Sequence, residues 1–150
     1  MSQTINIDNI PVYDKRLLEF NSPGGLENVL ERNPLNKYFI DWVVNIGFKI
    51  CYTNTFDGFG PLACLWIHDD VKEIEIKTRY NGKRTQVQMD HAFMHELIHI
   101  AIPLQFISSH QERCEEYENT IDKIAERYTR DKDFMDYAKR RIPIIVDTRS

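Results

Sequence analysis

Two histidines four residues apart, with a glutamate beside the first, constrain this chain more than any other feature. They form His95-Glu96-Leu97-Ile98-His99, set in the apolar run AFMHELIHIAI. Residues four apart on a helix share a face, so both imidazoles can grip one divalent cation. Glu96 then stands next to the coordination position left for water, a general base beside a Lewis acid. Ala92, Phe93, Leu97, Ile98, Ile100, Ala101 and Ile102 make the helix apolar nearly all round, which predicts burial. Two imidazoles and a carboxylate are costly in such a helix without partners, and a bound cation removes that cost. The expected centre is Zn²⁺ held by His95 and His99, with Glu96 as the catalytic base.

Catalytic zinc usually takes three protein ligands and keeps one position for water. Residues 109–130, SHQERCEEYENTIDKIAERYTR, read as an amphipathic helix with Cys114, Tyr117, Ile121, Ile124, Ala125 and Tyr128 on its apolar stripe. At about 100° per residue, Glu118 falls roughly 70° from the stripe centre, whereas Glu112, Glu115 and Glu116 fall about 130–170° away. Of these, Glu118 is the one able to turn inward. His110, on the stripe at the start of the helix, stays open as an alternative ligand or as a donor to a developing oxyanion. His91 shares the face of His95 and His99 but lies about 6 Å along the axis from His95, too far to complete one tetrahedral site easily. It is read as a residue lining the cleft. Tyr117, Tyr128 and His68 are weaker candidates for that cleft. Cys51, Cys64 and Cys114 form no C-x-x-C pair, which argues against a cysteine-rich structural zinc site.

The AFMHELIHIA stretch resembles the active-site helix of the zincin metallopeptidases, in which both histidines of the motif are ligands. Eighteen residues separate His99 from Glu118, a spacing similar to that of gluzincins, whose third ligand is a Glu on a following helix. The resemblance implies that Glu118 is the third ligand. It also implies that Asp122, four residues on, orients a ligand histidine, as the matching Asp does in thermolysin-like members. A carboxylate on the far ring N–H would fix that tautomer. The run ENTIDKIA is similar to short bacterial and phage-type metallopeptidases. The metzincin pattern fails, because Ile102 and Gln105 stand where its Gly and third His belong. The resemblance implies a zinc-dependent peptidase acting on a peptide or protein substrate held by backbone pairing along a sheet edge. The alternative is a zincin-fold metal-binding module with a regulatory or accessory role and little turnover.

A chain of 150 residues is expected to form one domain with a sizeable core. Its net charge of −4 argues against binding nucleic acid through the whole surface. An odd number of scattered cysteines predicts reduced thiols. MSQTINIDNIPVYD has neither a basic start nor an apolar stretch, and no run reaches membrane-spanning length. The expected location is therefore cytoplasmic, meaning the host cytoplasm if the gene is viral. Nothing in the sequence specifies oligomeric state.

The expected fold class is α+β: a minimal zincin-like domain in which a small antiparallel sheet precedes the motif helix and a second, ligand-bearing helix. Residues 1–14 read as a loosely held arm and 26–32 as a short helix. The apolar residues of 35–46 recur at helical spacing, with Gly47 as a stop. Residues 48–53 and 63–68 read as strands, and 54–61 as a loop. KEIEIKTRY and KRTQVQM flank Asn81-Gly82, which predicts a hairpin with Ile74, Ile76, Val87 and Met89 on its apolar face. Asp90 is the expected N-cap of the motif helix and Pro103 its stop. Residues 131–141 are expected to continue helically, with KRR at 139–141 as a solvated end. Residues 142–146 are expected to form a late edge strand or a packed tail.

Overall fold

The computed structural model describes residues 10–19, 23–53, 63–67, 71–79, 82–103 and 111–146, excepting the side chains of 23, 24, 111–114 and 146. Within them the chain is mixed α+β, with a four-stranded sheet and five α-helices. A 3₁₀ turn (Lys15–Leu18) leads into helix α1 (Pro23–Arg32) and helix α2 (Lys37–Asn45). Asn36 caps α2 by accepting from Tyr38 N at 2.9 Å, and Gly47 leaves it at φ +100°, where a Cβ would be strained. Strands β1 (Lys49–Thr53), β2 (Ala63–Ile67) and β3 (Lys72–Lys77) follow. Then come helices α3 (Gln86–Ala101), α4 (Gln111–Thr129) and α5 (Lys132–Arg141), and strand β4 (Ile144–Val146).

The sheet order is β2-β3-β1-β4. From β1 the chain passes to the far edge as β2, then returns antiparallel as β3 between the two, which makes β3 parallel to β1. After the helices, β4 joins the other side of β1, also parallel. The sheet is thus mixed, not antiparallel. The strand expected at 142–146 is present, on an edge.

The hairpin around Asn81-Gly82 does not form as a strand pair. Gly82 does turn the chain at φ +114°, but an isolated Arg79–Lys83 bridge is the only pairing described there. The reason is local capping. Thr85 accepts from Gln88 N at 3.2 Å while Gln88 Oε1 accepts from Thr85 N at 2.9 Å, so a reciprocal capping box starts α3 five residues before Asp90. Val87 consequently stands 78% exposed. Asp90 is not the cap; it accepts from Gln86 and Lys139 instead. Helix α3 ends at Ala101, before Pro103, as expected.

Two smaller expectations also change. The arm is anchored at its end: Ile10 is buried, and the Tyr13 ring packs on Phe39 and Trp42 with centroids 5.1 and 5.3 Å away. Residues 1–9 lie outside the described part. Residues 132–141 form a new helix, because Asp131 caps it by accepting from Phe134 N.

One core unites the elements. Ile50, Ile74 and Ile76 of the sheet, Phe39, Ile40 and Val43 of α2, Phe93, Met94, Leu97 and Ile98 of α3, and Tyr117, Ile121, Ile124 and Ala125 of α4 all belong to it. Burying each large apolar side chain contributes roughly 1.5–3 kcal/mol. Helix α3 packs on β2 and β3 with one side and on α4 with another. That packing fixes the register between α3 and α4, on which the site depends. Among the described residues, no helix is long and apolar enough to cross a membrane.

Candidate metal centre

Helix α3 places His91, His95 and His99 on one face at a stride of four, and α4 does the same with Glu118 and Asp122. The two helices bring these faces together. His91 meets Asp122, His95 meets both Asp122 and Glu118, and His99 meets Glu118. The order of partners shows that the helices run antiparallel. The result is a ladder in which carboxylates alternate with imidazoles: His91, Asp122, His95, Glu118, His99.

The distances are those of direct contact. His95 Nε2 lies 2.7 Å from Glu118 Oε2, and His99 Nε2 lies 2.9 Å from Glu118 Oε1. The two Nε2 atoms are 3.1 Å apart. On the other side of the His95 ring, Nδ1 lies 3.0 Å from Asp122 Oδ1, and the same oxygen is 2.7 Å from His91 Nε2. Both ligand-candidate imidazoles are largely covered, with side chains 16% and 15% exposed, while Glu118 is 47% exposed. The cluster is therefore walled by protein on the α3 side and open to solvent beside Glu118.

Each charge feels the others. Burial alone would lower the His95 pKa, but the Glu118 hydrogen bond and charge, joined by Glu96 and Asp122, reverse the sign and hold it above 6.5. Burial pushes Glu118 up, yet hydrogen bonds from His95 and His99 and their charges pull it well below the usual carboxylate range. Asp122 is likewise lowered: burial raises it, and His91 and His95 overcome that. Glu96 moves the other way. It is 8% exposed, burial raises its pKa, His99 and His95 offset this only in part, and Glu118 adds repulsion.

The donor chemistry fits a cation. An ionised Asp122 can only accept, so His95 Nδ1 carries the proton of that bond. In the neutral ring the Nε2 lone pair then faces the Glu118 carboxylate and the Nε2 of His99. Lone pairs that close require a proton or a cation among them. Two imidazole nitrogens and a carboxylate oxygen are a donor set zinc accepts. Their donor atoms lie within 4.8 Å of one another, as do those of His91, His95 and Asp122. In the second group Asp122 Oδ1 is an ionised acceptor between two ring N–H donors, so hydrogen bonding already accounts for it.

The other expected residues divide in two. Glu115 and Glu116 are exposed and belong to neither described group of candidate ligands. Tyr117 is a core residue, and Tyr128 OH accepts from Leu35 N at 2.9 Å, which ties α4 to the start of α2. His68, His110, the loop at 54–61 and the side chains of Glu112 and Cys114 lie outside the described residues. The contact that sequence reasoning missed is His91 with Asp122. Its signal was a shared stride of four, H-x-x-x-H-x-x-x-H on one helix and E-x-x-x-D on the next. Beside the site runs β2, an edge strand. There burial, followed by the charges of Glu96 and Glu75, raises the Cys64 thiol. No protein-family model, curated protein or solved structure matches this chain.

Proposed function

We propose that this chain is a zinc-dependent peptidase of zincin-like design. The observation that carries the reading is the convergence of His95 Nε2, His99 Nε2 and both Glu118 oxygens within 2.7–3.1 Å, one residue from a buried Glu96. His95, His99 and Glu118 would hold the ion. When bound, zinc polarises a carbonyl and acidifies water toward a pKa of about 7.

The chain's own residues do the rest. Glu96 accepts a proton from the water that attacks the scissile carbonyl and passes it to the leaving amine. Asp122 keeps the proton of His95 on Nδ1, so that Nε2 stays free to bind. Strand β2 lies at one end of the described sheet and packs near α3, a position that suits pairing with an extended peptide.

The test is peptide-library cleavage with and without chelator, on the wild type and on Glu96→Gln. The expected result is hydrolysis by the zinc-loaded wild type, loss on chelation, and loss in Glu96→Gln with metal content unchanged. Full activity in Glu96→Gln removes the mechanism.

A further inference from the structure

We propose that His91 is a positioning residue of the metal centre, acting on His95 through Asp122. The inference rests on the metal-site reading above and adds a member that the H-E-x-x-H motif does not contain. Asp122 Oδ1 takes two contacts, His91 Nε2 at 2.7 Å and His95 Nδ1 at 3.0 Å. An ionised carboxylate only accepts, so both rings donate to it. The side chain of Asp122 is 59% exposed and extends from α4 without another hydrogen bond described for it. With His95 as its one partner, such a side chain would sample other rotamers in water. His91, one helical turn before His95 and 34% exposed, supplies the second donor and pins the carboxylate against His95 Nδ1.

The effect belongs to orientation more than to stability. Exposed pairs of this kind stabilise a fold by little. A carboxylate behind a ligand histidine, by contrast, sets which nitrogen is free and where the ring points, and losing it costs about 10–100-fold in metal affinity. His91 stands one step further out, so its removal is expected to cost about three- to tenfold.

The test compares wild type, His91→Phe, His91→Gln and Asp122→Ala. Three readouts are used: zinc affinity and stoichiometry by chelator competition, the tautomer of the neutral His95 ring by ¹⁵N NMR of the metal-free protein at alkaline pH, and thermal melting. Gln places an N–H donor close to where Nε2 of His stands, so it should restore what Phe removes. The expected result has five parts: one zinc per chain, three- to tenfold weaker binding in His91→Phe, affinity within about twofold of wild type in His91→Gln, partial loss of the Nδ1–H tautomer in His91→Phe, and nearly unchanged melting. Adding His91→Phe to Asp122→Ala should change affinity no further. Wild-type affinity and tautomer in His91→Phe overturn the proposal while leaving the metal site standing. Two zinc ions per chain, one of them lost in His91→Phe, overturn it in favour of a second ion shared by His91, Asp122 and His95. No zinc uptake by the wild type overturns both this inference and the reading beneath it.

Discussion

The 2.7 Å contact between His95 Nε2 and Glu118 Oε2 joins two antiparallel helices across 23 residues of sequence. With His99 Nε2 on the other oxygen of the same carboxylate, Glu118 faces both histidines of the motif at once. Glu118→Ala should therefore lower zinc affinity by more than the roughly 100-fold upper range for outer-sphere partners. Chelator competition measures it. Unchanged affinity would move the third ligand elsewhere, His110 being the first to test.

Asp122→Asn should be milder. The amide can present its oxygen to His95 Nδ1 but offers no charge, so zinc binding should weaken by about 10-fold, within the usual range for such partners. The same competition assay reads it. An effect as large as that of Glu118→Ala would make Asp122 a ligand instead of an orienting group.

The metal-free protein should depend on pH through the same pair. His95 has a folded pKa raised above 6.5, so its contribution is complete below 6.5 and is lost as pH rises through the raised value. Glu118 has a folded pKa lowered from 4.5, so its contribution is complete above 4.5 and is lost as pH falls through the lowered value. The pair therefore stabilises most between pH 4.5 and 6.5. Thermal melts in chelator should show the largest difference between wild type and Glu118→Gln in that window, shrinking toward pH 8 and toward strong acid. A difference that grows steadily up to pH 8 would contradict the pairing. Zinc should reverse the alkaline trend, since it binds neutral imidazole and displaces that proton.

Thr85→Ala should destabilise the fold by about 1 kcal/mol, because it removes one half of the box that starts α3. Asp90→Ala, lacking any capping contact, should cost less. Urea unfolding of both variants decides the matter. The reverse order would restore Asp90 as the start of the helix.

Which parts were readable from sequence follows from range. The apolar spacing of α2, α3 and α4 is local, so these helices were legible, α3 except for its first five residues. The same holds for β1 and β2, whereas residues 142–146 stayed open between an edge strand and a packed tail. The hairpin was misread because Gln86-Val87-Gln88-Met89 alternates as a strand would, yet also fits the first turn of a helix. The deciding signal, Thr85 with Gln88 three residues on, was present and outweighs four alternating letters. Parallel pairing of β1 with β3 and β4 was not legible, since it depends on the order in which distant strands insert. His91 was assigned only to a cleft for a similar reason: its partner Asp122 lies 31 residues away, and their meeting depends on the register of two packed helices.

The most direct measurement is anomalous scattering at the zinc edge from crystals of the zinc-loaded protein. One strong peak is expected about 2.0–2.2 Å from His95 Nε2, His99 Nε2 and a Glu118 oxygen, with a further position open to solvent. No peak between those three side chains, or a peak held by His91 and Asp122 in their place, would contradict it.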